Sequence, residues 1–184
     1  RHWLDIVGYA EQIGTEGKIF AEHAWRYRDY LIRSFNDDKP FDQFIREQLA
    51  GDLLPADSPE QRRQNLVATG FIVLGDVDIN AIDKRKMEHD FIDGQVSKVG
   101  TAFLGMTLGC VRCHDHKYDH LPARDYYGLL AAFHGGERAE IQLAPGAPET
   151  VLGWRDVSAE PRPTWLFQRG DWYDRDQPVD RKST

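Results

Sequence analysis

Two cysteines and a histidine form the most distinctive chemical group of this sequence, in the run Cys110-Val111-Arg112-Cys113-His114. The chain has 184 residues and only these two cysteines. C-x-x-C-H is the attachment signature of c-type haem. Two thiols one helical turn apart can each add to a vinyl group at one edge of the macrocycle, and the histidine that follows can supply the proximal imidazole. The spacing therefore predicts covalent haem c on Cys110 and Cys113, with His114 as the proximal iron ligand.

The same segment also allows a zinc site. Cys110, Cys113, His116 and His120 form a Cys2His2 set at spacings of three, three and four, which a tetrahedral ion tolerates. In the haem hypothesis His116 is too close in sequence to reach the opposite face of the ring, so the sixth ligand must come from elsewhere. The candidates for it are His2, His23, His89, His134, Met87 and Met106. Met106 is expected on a helix that leads into the motif, where a core position is the plainer interpretation.

Composition restricts the class of protein. Hydrophobic residues make up 41% and charged residues 29%, which is typical of a soluble globular chain. The net charge of -7 argues against a nucleic-acid partner, because binding phosphates requires clustered Lys and Arg. No apolar run approaches the roughly 20 residues that span a bilayer, so no membrane span is predicted. Because the first residues look like the middle of a helix, we expect a piece of a longer protein whose export signal lay upstream.

Helical periodicity dominates as far as residue 136. The predicted helices cover residues 2–13, 24–35, 41–49, 58 to 70 or 74, 83–108 and 122–133. Ser58, Pro59 and Gln61 form a capping box that should start the fourth of these. After Gly136, prolines interrupt short apolar runs, so residues 137–184 are predicted to be an extended, strand-poor arm with one or two short hairpin strands at most. The predicted fold class is mainly α: an irregular multi-helix domain over residues 1–136, with its N-terminal part missing, around a haem-binding CxxCH loop.

Long runs of this sequence match those of a known family. They include Ala24-Trp25-Arg26-Tyr27-Arg28-Asp29, Arg46-Glu47-Gln48-Leu49-Ala50-Gly51-Asp52-Leu53-Leu54-Pro55, Cys110-Val111-Arg112-Cys113-His114-Asp115-His116-Lys117 and Arg124-Asp125-Tyr126-Tyr127. In these runs the chain resembles planctomycete-type cytochrome c proteins, specifically their domain of unknown function with a C-x-R-C-H-D-H-K motif. The resemblance covers most of the chain.

This resemblance implies an exported, extracytoplasmic bacterial protein that is part of a larger multidomain chain. A redox partner protein or an adjoining domain of the same precursor is the implied partner, and Arg169-Gly170-Asp171 looks like the linker toward a second domain. The family pattern also has histidine at the position of His2, which favours His2 as the distal ligand. His120 stands where the family usually has proline, which weighs against zinc as a family-wide explanation.

The resemblance does not supply an activity, and whether the chain is an enzyme stays open. From the motif we expect electron transfer, or redox supply to a partner domain. The alternative is a non-haem metal-binding module, structural or hydrolytic, that uses Cys110, Cys113, His116 and His120.

Overall fold

A computed structural model describes residues 1–13, 19–75, 77–78, 81–157 and 162–179. Within these ranges the α-helices are α1 (His2–Val7), α2 (Ala24–Asn36), α3 (Phe41–Ala50), α4 (Pro59–Ala68), α5 (Gly70–Val73), α6 (Lys84–Val99) and α7 (Ala123–Phe133). The strands are β1 (Gln12–Ile13), β2 (Ile19–Phe20), β3 (Gly136–Gln142), β4 (Thr150–Asp156), β5 (Thr164–Phe167) and β6 (Arg175–Val179). They pair as three two-stranded sheets, β1-β2, β3-β4 and β5-β6.

The chain divides into two compact units. The first unit comprises residues 1–79 and 137–155, and the second comprises residues 80–136 and 156–184. The sequence predicts a boundary between residues 136 and 137, and the chain does pass from the second unit to the first at that point. Each unit nevertheless contains residues from both sides of this boundary. As a boundary between domains of the longer protein it stays a prediction.

Helix starts in the first unit follow local sequence rules. The Oγ of Ser58 accepts from the Gln61 N–H at 3.1 Å, and the Gln61 side chain accepts from the Asp57 N–H at 2.7 Å. Ser58 therefore caps α4 as predicted, with Pro59 as the first helical residue, but the return bond from Gln61 goes to Asp57 rather than to the Ser58 N–H that a capping box uses. By contrast, α1 ends earlier than predicted, because Gly8 adopts a left-handed conformation with φ of 68° and closes the helix after Val7.

The core of the first unit is aromatic. Tyr27 and Tyr30 of α2 are buried with Phe44 of α3 and Phe71 of α5. At its centre the fully buried side chain of Gln48 accepts hydrogen bonds from the Trp3 indole at 3.0 Å and from the Tyr27 hydroxyl. Buried polar atoms must be paired to avoid a desolvation cost, and this pairing satisfies the Gln48 carbonyl oxygen.

The second unit packs α6 and α7 together with the β5-β6 hairpin. α6 buries Ile92, Val96 and Val99, while α7 buries Tyr126, Tyr127 and Leu130 among its inward-facing residues. β5 and β6 are antiparallel, and Thr164 pairs with Val179. The helix predicted for residues 83–108 is shorter than expected: α6 passes at Gly100 into a π-turn (Gly100–Leu104), which ends at Gly105 with φ of 64°. Met106 therefore lies beyond the helix, and its N–H bonds to the Gly100 carbonyl at 3.0 Å.

The prediction of a mainly α fold was too narrow, because about half of the described residues are helical and three small sheets accompany them. The arm contains more strands than the one or two expected: β4, β5 and β6 lie within residues 137–179, and β3 begins one residue earlier. Prolines did not prevent these strands. Both strands of a two-stranded sheet are edges, where a missing N–H is tolerated, and Pro178 pairs with Trp165 in this way. None of the helices in the described ranges is both long enough and apolar enough to cross a membrane.

Candidate functional site

The cysteine motif lies on one short turn of the second unit. A 3-10 helix over Leu108–Arg112 carries Cys110, and Cys113 follows it directly. Leu108 and Val111 are buried and anchor this turn, whereas both cysteines are free thiols at the surface. Leu108 packs on Gly100, where an added Cβ would meet the Leu108 Cγ at 2.3 Å. The glycine at the end of α6 thus allows the motif to approach this helix closely.

Arg112, between the two cysteines, ties the motif to its surroundings. Its Nη1 donates to the Asp90 carboxylate at 2.9 Å and to the Asp93 carboxylate at 3.4 Å, both on α6. Its Nε donates to the Gly170 carbonyl at 3.3 Å. The side chain is only 22% exposed. Burial alone would raise the pKa of Asp90, but hydrogen bonds from Lys86 and Arg112 lower it below its usual value, so this carboxylate stays ionised.

Two tyrosines of α7 complete this anchor. The Tyr127 hydroxyl donates to the Arg112 carbonyl at 2.8 Å, and the Tyr126 hydroxyl donates to the Asp93 carboxylate. Burial raises the pKa of Tyr127 to about 12, so its hydroxyl keeps the proton that it donates. The backbone between the cysteines is therefore held by both helices of the unit.

His114 is exposed, and one of its ring nitrogens is committed. Its Nδ1 lies 2.7 Å from the carbonyl oxygen of Asp115. A carbonyl oxygen can only accept, so Nδ1 must carry the hydrogen, and in the neutral ring the lone pair is then on Nε2. Metal-ligating histidines are usually oriented by a bond of this kind from the other ring nitrogen. His114 thus presents an available, oriented ligand atom at the surface.

Asp115 and His116 serve the loop itself. The Asp115 carboxylate accepts from the Ala123 N–H at 2.7 Å and so caps the start of α7. His116 bonds through its backbone N–H to the Leu121 carbonyl at 2.9 Å, and its side chain is 8% exposed. These two residues close the chain between the motif and α7.

Both ring nitrogens of His116 are engaged. Nδ1 lies 3.0 Å from the Asp119 N–H and also 3.0 Å from the Asp119 carboxylate, contacts that need opposite protonation states. We assign Nδ1 as an acceptor, because the Tyr118 N–H also points at it and the half-exposed carboxylate can be solvated by water. Nε2 then carries the hydrogen toward the Thr107 hydroxyl at 3.4 Å. His116 is a structural part of this loop rather than an open ligand.

The remaining predicted ligands are scattered. His120 is exposed on the loop after His116, and Met106 is partly buried before the 3-10 turn. His2 is exposed on α1 and belongs to the first unit, so its role as distal ligand stays a prediction. Across the described residues, no three or more His, Cys, Asp or Glu side chains are gathered where they could hold a metal ion. The Cys2His2 set is therefore not assembled here, and the zinc alternative stays a prediction.

Gly170 lies beside the motif, whereas the sequence predicted it only as part of a linker toward a second domain. It has a φ of +76°, and a Cβ placed on it would meet the Cys113 sulfur at 2.8 Å. The turn that contains Gly170 therefore covers one side of Cys113. The available signal was the glycine itself, but nothing in the sequence relates a turn at residue 170 to a cysteine at residue 113.

A pair of histidines lies beside this anchor. The rings of His89 on α6 and His134 after α7 are 5.0 Å apart, and His89 also contacts the rings of Phe167 and Trp172. His134 Nδ1 lies 2.9 Å from the Thr164 hydroxyl. Burial lowers the pKa of both histidines, that of His134 to about 4, so both are neutral at pH 7. The charged neighbours Glu88 and Asp90 predict a solvated His89, whereas the structure places this candidate sixth ligand among aromatic rings.

No curated protein and no solved structure matches this chain. One family model does, that of PSCyt2, described as a protein of unknown function (DUF1549), and the match runs over residues 1–138. It spans the whole cysteine motif and α7 and ends within β3. Since the match covers well over half of the sequence, the chain belongs to PSCyt2, a planctomycete-type domain family of unknown function.

Proposed function

We propose that this chain is a c-type haem protein, with thioether links at Cys110 and Cys113 and His114 as the proximal ligand. The observation that carries the proposal is the hydrogen bond from His114 Nδ1 to the Asp115 carbonyl at 2.7 Å. It leaves the Nε2 lone pair of an exposed imidazole available, beside two exposed free thiols. Bound at these residues, haem would supply a one-electron iron couple, and so a role in electron transfer or in redox supply to a partner domain.

The donor set fits a covalent haem better than a bare divalent ion. The thiols and His114 are exposed together, whereas His116, which the zinc alternative needs, has both nitrogens engaged within its loop. Soft thiolates and an imidazole suit zinc as well as iron. What favours haem is therefore the particular histidine that is left available, the one directly after Cys113.

The residues around the motif have orienting roles in this proposal. Arg112 is bound by Asp90, Asp93 and Gly170, so it holds the backbone between the two thiols. Asp115 supplies the carbonyl that orients His114, and its carboxylate caps α7. These bonds hold the backbone between the two cysteines and orient the imidazole, which reduces the entropy lost when a rigid planar group is attached.

The sixth ligand, the partner and the location follow from the motif and the resemblance as further parts of the proposal. His2 is the candidate distal ligand. The partner is a redox protein or an adjoining domain of the same precursor, and the location is extracytoplasmic in a bacterium.

Expression with export into the periplasm of a host that matures c-type cytochromes tests the proposal. We expect a red protein whose intact mass includes one haem that acidified acetone does not extract. Cys110→Ser with Cys113→Ser should abolish covalent attachment. His114→Ala should keep the attached mass but change the iron from low spin to high spin, while His120→Ala, the matched control at an exposed histidine nearby, should leave the spectrum unchanged. His2→Ala tests the distal ligand by the same spin-state measurement.

A colourless exported protein with two free thiols would contradict the haem proposal. Stoichiometric zinc that is lost in His116→Ala and His120→Ala would favour the alternative metal-binding module. A haem protein whose spectrum His114→Ala leaves unchanged would remove His114 as the axial ligand.

A further inference from the structure

The first unit contains an open cleft that the cysteine motif does not use. Its volume is about 420 Å³, within the usual range for small-molecule sites. Helices α2 and α4 form its walls, and Leu143, after β3, contributes to it. The lining residues are Trp25, Arg26, Asp29, Ile32, Arg33, Glu60, Arg63, Gln64, Val67 and Leu143.

Cations outnumber anions in this lining. Three guanidinium groups face two carboxylates. Glu60 lies 3.8 Å from both Arg33 and Arg63, which is beyond hydrogen-bond distance. Arg63 has a closer partner outside the lining, because its Nη2 donates to Glu149 at 2.7 Å. Arg33 therefore keeps donors without a close carboxylate in the described part of the chain.

Arg26 is the least satisfied of the three. Its Nε is buried and bonds to no acceptor within the residues that the structure describes. The contact that holds its guanidinium is with the Trp25 indole, whose ring centroid lies 4.7 Å from the Arg26 Cζ. A buried donor without an acceptor is costly, and native proteins seldom leave one unexplained. Because Nε itself is shielded from solvent, an oxyanion held in the cleft would bind this guanidinium through its terminal nitrogens.

Apolar surface lies next to these cations. Trp25 is 40% exposed and Ile32 is 52% exposed, although both are large hydrophobic residues on a helix of the core. Val67 and Leu143 are buried at the base of the same cleft. Exposed indole and aliphatic surface favours a flat or ring-shaped body, whereas a free inorganic anion would leave that surface in contact with water.

From these observations we infer that the cleft binds a small compound in which a carboxylate is attached to a ring, with the carboxylate at Arg26 and Arg33 and the ring against Trp25 and Ile32. Two sources share this chemistry, acidic sugars and aromatic acids. The geometry calls for both features in one molecule, since the cations and the apolar wall line one cavity. This site does not depend on the haem proposal.

Isothermal titration calorimetry with the full chain tests the inference. The probes are glucuronate and benzoate, each compared at constant ionic strength with a neutral counterpart, glucose and benzyl alcohol. We expect at least one acid to bind about tenfold or more tightly than its counterpart, because a paired charge contributes on that scale. The acid that binds tells the two sources apart.

Variants assign the binding to the cleft. Arg26→Gln should weaken binding of the acid about tenfold. Arg33→Gln, at a side chain 53% exposed whose replacement should leave the fold intact, should weaken it about threefold. Arg46→Gln is the matched control, since Arg46 is a surface arginine of α3 outside the cleft lining. Far-UV circular dichroism checks that each variant is folded. Equal affinities within each acid and neutral pair, no saturable binding of either acid at 20 mM or below, or unchanged affinity in folded Arg33→Gln would each overturn the inference.

Discussion

Lowering the pH should destabilise the second unit through His134. Burial and the neighbouring His89 lower the pKa of His134 to about 4, whereas a histidine in an unfolded chain titrates near 6.5. The cations Arg162 and Arg175 also disfavour a charge on it. Burial and the cations Arg112 and Arg175 also lower the pKa of His89, whereas Asp90 and Asp83 act to raise it. At pH 5 His134 is therefore neutral in the folded unit, whereas it would be charged in an unfolded chain.

The direction of the effect follows from proton binding. Below about pH 6.5 the unfolded chain binds a proton at residue 134 that the folded chain does not bind until about pH 4. Stability is therefore fully retained above about pH 7 and is lost progressively as the pH falls from about 6.5 to 4. At pH 5 the linkage relation sets an upper limit of about 2 kcal/mol for His134. Partial exposure of the ring reduces this, and we expect about 1 kcal/mol.

Urea denaturation at pH 7.5 and pH 5.0, followed by circular dichroism, measures this loss. In His134→Gln the site no longer titrates, so the fall in unfolding free energy between the two pH values should shrink by about 1 kcal/mol relative to the original chain. His23→Gln, which removes a histidine at the start of α2, is the control and should retain the full fall. If His134→Gln lost as much stability on acidification as the original chain, the assignment of the pH dependence to this buried histidine would be wrong.

Three further substitutions test the packing. Gly170→Ala should destabilise the second unit by about 1–3 kcal/mol more than Gly146→Ala destabilises the first. Both glycines have a positive φ, but only at Gly170 would an added Cβ meet the Cys113 sulfur. The urea midpoints of the two variants provide the comparison. Asp115→Ala should cost about 1 kcal/mol in the same assay by removing the acceptor for the Ala123 N–H at the start of α7, and an unchanged midpoint would refute that capping role. Glu47→Ala should cost about 3–5 kcal/mol of unfolding free energy, because the buried carboxylate pairs with Lys39 and accepts from the Tyr30 hydroxyl at 2.8 Å. In the double variant Glu47→Ala with Lys39→Met no unpaired charge remains, so thermal unfolding should show that part of the lost stability is restored.

Local sequence was sufficient where structure depends on neighbours three or four residues apart. The periodic apolar residues of 24–35, 41–49 and 122–133 correspond to α2, α3 and α7, and Ser58 caps the start of α4 as expected. Helical hydrogen bonds join residues close along the chain, so their signals are present in any short window. The predicted helix ends were wrong where a glycine in the left-handed conformation ends the helix early, as at Gly8 and Gly105.

The number of strands in residues 137–179 was underestimated because strand pairing is not local. In β5-β6 a bond partner lies up to fifteen positions away, as for Thr164 and Val179, and the prolines after residue 136 looked like evidence against an extensive sheet. A two-stranded sheet has only edges, so the rule that excludes proline from central strands does not apply. The prediction failed because the sequence does not reveal how many strands a sheet will have.

The sequence alone determined the spacing of Cys110, Cys113 and His114. It thereby determined the chemistry that these residues could perform, since ligand identity is a property of side-chain type and order. The structure added which ring nitrogens of His114 and His116 find partners, through bonds to residues at most nine positions away. It also brought Gly170 against Cys113 and enclosed His89 with His134. These contacts join residues more than forty positions apart, and packing between distant segments leaves no mark in a local window of sequence.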